Sequence, residues 1–364
     1  MIETGYILLD NSDTRGKQKM KMFDLKGTVL KLNTPSIVAL LNSIELYKGK
    51  TLPVNEVKKV DILKDMARRS AAVMSNQIGN VYIPEERESA LFHKDSHPAN
   101  LDEFMLQGYY NAIDLIDEVY KFQTLDRNFI STLHYYLYKD YNPEFGGRYK
   151  DSINYIQETL PDGSFKTIFV TAAPERVVQL LDNLIYQFNM CAQDEECNKL
   201  LLIATFMLDF MCIHPYNHGN GRVSRLLLHY FLKKYGYDVD DYFAIAYLMK
   251  QHLGEYIDAF KASSEGWFDD ENRYEPFVSF ILRRILEGYR KLDYILEVNK
   301  IDATAKEKVL KVVNDSATPI NKTYVLRILF DYDKVTIEKA LTALVGEDKI
   351  QLITKGRYSK YFRK

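Results

Sequence analysis

The chain has 364 residues, with 48 Lys and Arg against 50 Asp and Glu, a formal net charge of −2, and 46% hydrophobic residues. That length supports a large domain plus a small one. The charge balance gives no global attraction to nucleic acid or membrane, and the sequence predicts no membrane-spanning segment. The first residues, Met1-Ile2-Glu3-Thr4, lack the basic and apolar regions of a secretion signal. Cys191, Cys197 and Cys212 are odd in number and lack metal-type spacing, so reduced thiols and a cytoplasmic location are expected.

In chain order, Thr34-Pro35 is a cap and first-turn proline opening a helix with Ile37, Leu40, Leu41, Ile44 and Leu46 expected on its buried side; Gly49 closes it. Residues 101–122 and 126–138 continue the helical period. Ser152–Gln157 and Phe165–Thr171 flank Pro161-Asp162-Gly163 and predict a hairpin. After a helix start near Ala173-Pro174, Leu201–Ile213 is an apolar run interrupted only by Thr205 and Asp209, a buried helix that stops at Pro215. Val223, Leu226, Leu227, Phe231 and Leu232 mark the next helix. Another apolar helix opens at Glu275-Pro276-Phe277, and residues 299–304 form a polar join.

Beyond that join, Val325, Ile328 and Leu329, then Ile337, Leu341 and Leu344, predict two short helices. Ile350–Ile353 and Tyr358–Phe362 flank Lys355-Gly356-Arg357 as a wing-like hairpin. Residues 349–364 hold six basic and no acidic residues, a local field suited to phosphate. Residues 304–364 therefore look like a winged helix, and DNA is one candidate partner against protein docking or dimerisation.

The most informative stretch is His214-Pro215-Tyr216-Asn217-His218-Gly219-Asn220-Gly221-Arg222-Val223-Ser224-Arg225. It lies at a break between two helices, where the free N–H groups and positive dipole end of the second favour an anion and glycine permits close backbone approach. His214 suits a general base. Arg222 and Arg225, three apart, offer planar charged forks to phosphate, and Asn220 adds an amide donor. Each has a plainer alternative: a solvated helix start for the arginines, a simple turn for Asn-Gly, and a zinc pair for His214 and His218. Joint occurrence at fixed offsets favours the functional reading.

The stretch resembles the signature of the Fic (filamentation induced by cAMP) family, His-Pro-Phe-x-Asp/Glu-Gly-Asn-Gly-Arg-x-x-Arg. The resemblance implies a mostly α fold: a helical bundle core over 101–298 with a β-hairpin flap (152–171) and the motif at 214–225, an N-terminal helical region (1–100) packed on it, then the small winged-helix (α+β) domain. It implies a protein adenylyltransferase that moves AMP from ATP to a target hydroxyl. His214 would be the base. Gly219, Asn220 and Gly221 would hold phosphate oxygens and Arg222 and Arg225 the β and γ phosphates, with Tyr216 as aromatic anchor and Tyr256 as adenine-pocket candidate. Thr167, Ile168, Phe169 and Val170 would be the flap edge that takes the target as an added strand.

Three positions depart from the pattern. His218 replaces the acidic magnesium ligand, so Mg²⁺ would be held weakly, or a charged His218 would supply the missing positive charge. Lys150 stands for arginine in Gly147-Arg148-Tyr149-Lys150. Gly79 in Ser75-Asn76-Gln77-Ile78-Gly79-Asn80 falls where an inhibitory glutamate is usual, which removes that clamp unless Glu85 or Glu86 substitutes. The alternative reading is a nucleotide-sensing or DNA-binding regulator with impaired catalysis. A homodimer is allowed by resemblance only.

Overall fold

The computed structural model describes residues 2–5, 19–56, 59–160, 162–354, 356 and 359–364. The sequence-predicted turn residue Pro161 and the wing residues Lys355, Arg357 and Tyr358 lie outside the described residues.

The fold is mostly helical and is organised around the helix Lys199–Ile213, of which every residue from Leu200 to Ile213 is buried. A helix apolar on all sides must be surrounded. It packs against Val177–Ala192, Asn220–Lys234 and the long helix Glu275–Lys300, which also covers Pro35–Thr51. Its start is fixed by Asn198, whose Oδ1 accepts from the N–H groups of Leu200 (3.0 Å) and Leu201 (3.2 Å). Asn100 and Asp126 cap Leu101–Val119 and Arg127–Tyr138 in the same way. Those two helices pack together, and Leu101–Val119 also carries Val60–Ile78 and the motif helix Asn220–Lys234. The motif therefore begins where four helices converge.

The hairpin pairs Tyr155–Thr159 with Phe165–Val170 and is irregular at Ile156/Gln157. A third strand, unforeseen from the sequence, is Ile2–Gly5, antiparallel to Tyr155–Thr159 with Ile2 opposite Glu158 and Gly5 opposite Tyr155. The strand Tyr155–Thr159 is thus central, and Phe165–Val170 forms the opposite edge.

After Lys300, helices Ala305–Asp315, Lys322–Ile328 and Lys334–Gly346 join a sheet of Ile320–Asn321, Lys360–Arg363 and Ile350–Thr354, in that order. A capping box between Thr304 and Glu307 starts the first of these helices.

One expectation is corrected. Cys191 and Cys197 form a disulfide, and only Cys212 is a free, buried thiol. The helix Val177–Ala192 ends beside Cys191 and the following turn brings the chain back, which leaves the two Cα atoms 5.9 Å apart, within disulfide reach. Among the described residues, no helix is long and apolar enough to cross a membrane.

Candidate active site

The helix Lys199–Ile213 ends because His214 adopts a left-handed conformation (φ 53°, ψ 65°) and Pro215 follows. This places the buried imidazole at the rim of a cavity of about 510 Å³, inside the range of about 300–1,000 Å³ usual for small-ligand sites. His214 Nδ1 lies 3.2 Å from the Met211 carbonyl. A carbonyl can only accept, so Nδ1 carries the proton and Nε2 the lone pair. Nε2 is buried with no hydrogen-bond partner. Burial pushes the pKa of His214 down to about 3, with the Lys150 ammonium adding to the shift.

Gly219 opens the motif helix at φ 82°, a conformation that favours glycine, and a Cβ there would meet the Tyr138 hydroxyl at 3.0 Å. Asn220 lines the cavity but spends its side chain on the loop. Its Oδ1 accepts from Tyr216 N–H at 2.9 Å, and its Nδ2 donates to the Tyr216 carbonyl at 2.7 Å. The amide expected to face phosphate is therefore a staple across the turn. Tyr216 is buried and stacked on His134, with ring centroids 3.9 Å apart. His134 in turn donates from Nε2 to the His218 carbonyl (3.0 Å) and accepts at Nδ1 from Gly147 N–H (2.8 Å). Lys150 Nζ, buried, donates to the Ile213 carbonyl and Thr171 Oγ1, both at 2.9 Å, and ties the hairpin base to the end of the buried helix.

Arg222 and Arg225 are both buried and both line the cavity. Arg225 donates from Nε to Ser75 Oγ (2.8 Å) and from Nη2 to the Ser75 carbonyl (2.9 Å). Arg222 Nη1 lies 2.9 Å from the thioether of Met105, its side chain also interacts with the Tyr138 hydroxyl, and its Nε has no partner. No carboxylate among the described residues pairs with either guanidinium or lines the cavity. Two desolvated positive charges without a carboxylate counter-ion are an arrangement that favours an anion. Gly79 lies against it: a Cβ there would be 3.6 Å from Arg222 Nη2. Neither Glu85 nor Glu86 lines the cavity.

His218 lines the cavity half-buried, and its pKa is lowered by burial and by the Arg222 charge. Without a bound anion, burial and the neighbouring Arg222 disfavour the charged form of His218. Because the lining holds no carboxylate, the donor set does not fit a resident Mg²⁺, which prefers hard oxygen ligands. Nor do His214 and His218 head a metal cluster. The only trio of suitable ligands among the described residues is Asp117, His229 and Asp241, where Lys233 Nζ already sits 2.6 Å from Asp117 and 2.8 Å from Asp241.

Tyr256 is buried against Phe277 and Phe280 and lines the cavity. Gly221 lines it as well. Thr167, Ile168, Phe169 and Val170 do not; they lie on the edge strand of the hairpin, with Phe169 stacked on Phe268 at 5.8 Å. Sequence reasoning missed Met105, Tyr141, Asn142 and Phe145 in the lining. No local pattern separates these from ordinary helix and loop residues.

The Fic/DOC family pattern matches residues 124–232, the stretch that carries the motif helix, both buried arginines and His214. Residues 124–232 form a Fic/DOC family domain. Family members commonly transfer AMP or other nucleotide-derived groups to proteins. Three solved structures share the Fic fold. One is a Fic family protein from Desulfovibrio desulfuricans, 15% identical, with a TM-score of 0.59 over 91% of this chain and 96% of that one. Another is a Fic domain containing signaling protein from Bacteroides thetaiotaomicron, 19% identical, with a TM-score of 0.57 over 69% and 95%. The third is a segment of Fic-1 from C. elegans, 13% identical, with a TM-score of 0.53 over 72% and 73%. At these identities the likeness is one of fold. Among curated proteins none matches the chain.

Proposed function

We propose that this Fic domain transfers AMP from ATP to a hydroxyl of a protein. The observation that carries the reading is the pairing of an unpartnered His214 Nε2 with two carboxylate-free buried arginines around one cavity. In the reaction, Nε2 takes the proton of the target hydroxyl. The oxygen attacks the α-phosphorus, the bond from α-phosphorus to the bridging oxygen breaks, and pyrophosphate leaves. Arg222 and Arg225 balance the charge of the departing phosphates. The first-turn N–H groups after Gly219 face the same anion. A triphosphate also acts on the base, because its negative charge stabilises the imidazolium and raises the pKa of His214 from its value in the empty cavity. Tyr256 supplies an aromatic wall for the adenine, and the hairpin presents the target segment as an added strand.

The lack of a carboxylate at position 218 favours a second reading, in which nucleotide is bound but transfer is slow. One assay covers both. Protein is titrated with ATP by calorimetry, then incubated with α-labelled ATP alone and with cell extract, with mass analysis of labelled peptides. Binding with a mass gain of one AMP, abolished by His214→Ala, is the expected result. Binding without transfer selects the second reading, and absence of both binding and labelling overturns the proposal.

A further inference from the structure

A second groove, of about 1110 Å³, runs between the long helix Glu275–Lys300, the helix Pro35–Thr51 and the C-terminal module. Its walls carry Arg283, Arg284, Arg290, Lys291 and Lys360 against only two acids, Glu287 and Asp315. Both acids are already engaged. Glu287 lies 3.2 Å from Arg284 Nη1 and 3.5 Å from His252 Nε2, and Asp315 is held by Lys311 and by the Tyr294 hydroxyl, each at 2.9 Å. Among the described residues no carboxylate pairs with Arg283, Arg290, Lys291 or Lys360. Arg284 is only 6% exposed, yet its Nε has no acceptor. A buried guanidinium whose Nε is unpartnered and whose one carboxylate, Glu287, is shared with His252, beside four cations that make no ion pair with a carboxylate, leaves an excess of positive charge that favours an anion.

We infer that this groove binds a ligand carrying at least two phosphate groups, at a site separate from the motif cavity. The spacing sets the number. Arg283 and Arg284 lie seven residues, two helical turns or about 10 Å along the axis, from Arg290 and Lys291, so the positive charge is spread along the groove and favours more than one phosphate group. Lys360 faces these pairs from the C-terminal module, so the ligand holds the module against the Fic domain. Tyr294 and Tyr324 add ring surfaces on the same walls, which suits a nucleotide-type ligand better than inorganic polyphosphate.

The test is calorimetry on the full chain with three probes: inorganic phosphate, tripolyphosphate and a two-nucleotide oligothymidylate with a 5′-phosphate. Variants are the double substitution Arg283→Ala with Arg290→Ala, both exposed positions, the motif variant Arg222→Gln, and the remote charge control Lys306→Ala. The expected result is binding of the dinucleotide and weaker binding of tripolyphosphate. The groove variant should lose at least tenfold in affinity, while the motif variant and the control keep groove binding. No binding by the unmodified chain, equal loss in the remote control, loss in the motif variant alone, or equal affinity for inorganic phosphate would each overturn the inference. Trypsin cleavage within 299–304 supplies a second readout, expected to slow when the dinucleotide is present.

Discussion

Arg225 is bound by Ser75 from a helix 150 positions earlier, through both the hydroxyl and the carbonyl of that serine. This contact brings the segment Ser75–Asn80 onto the anion site, with Gly79 directly over Arg222. Gly79 has φ −90° and ψ 22°, and a Cβ there meets only ordinary van der Waals neighbours.

Gly79→Glu is therefore expected to fold and to place a carboxylate against Arg222. ATP affinity should fall at least tenfold, about 1.4 kcal/mol or more, while the melting temperature without nucleotide rises. Calorimetry with unchanged ATP affinity would show that Arg222 does not hold phosphate.

His218→Asp adds the hard oxygen ligand that the cavity lacks. Transfer in Mg²⁺ should increase severalfold over the unmodified protein, with a smaller gain in Mn²⁺. Equal Mg²⁺-dependent rates for the two proteins would remove the argument that position 218 limits activity.

Asn220→Ala leaves the buried Tyr216 N–H without its acceptor, while the Tyr216 carbonyl keeps only the Asn154 amide. A loss of about 1–3 kcal/mol is expected, visible as a lower melting temperature in the absence of nucleotide. If stability holds and only ATP affinity drops, the side chain is a ligand contact and not a staple.

The proton balance of His214 gives a kinetic expectation. Since kcat/KM reports the free enzyme and His214 there titrates at about 3, the acid limb should lie well below the ordinary histidine value of about 6.5. A limb at about 6.5 to 7 in a kcat/KM profile would mean that the imidazole is solvated.

His229 behaves oppositely. Burial alone would lower its pKa, but hydrogen bonds to Asp117 and Asp240 outweigh this and raise it to about 10. A raised folded pKa contributes stability that is fully present below about 6.5, the unfolded value, and is lost as pH rises through about 10. Denaturant midpoints should therefore decline between those limits. His229→Leu, which strands the carboxylates, should cost roughly 3–5 kcal/mol at neutral pH and flatten that decline. A midpoint independent of pH in the unmodified protein would contradict the assignment.

How much of this was readable in advance varies with the range of the interaction. The break at His214-Pro215 and a helix start near Gly221 follow from local backbone chemistry, and the structure puts that start at Asn220 with Gly219 as its cap. The Ser75 segment could be placed only through its resemblance to the inhibitory helix of the Fic family. Met105, by contrast, reaches Arg222 across 117 positions, and nothing near it signals a role. The Cys191–Cys197 bond depends on how a turn folds back, which an odd cysteine count obscures. The amide of Asn220 was assigned to phosphate because its type fits both tasks, and only coordinates show that Tyr216 has claimed it.

The strand Ile2–Gly5 has a practical corollary. It runs antiparallel along the hairpin, so whatever precedes Ile2 emerges by Glu158, near the tip, while Gly5 lies opposite Tyr155, next to Asn154, which donates to the carbonyls of Tyr216 and Asn217. A purification handle fused upstream would crowd the hairpin tip, where an incoming client would also have to fit. Client capture is best measured with the handle moved to the other terminus.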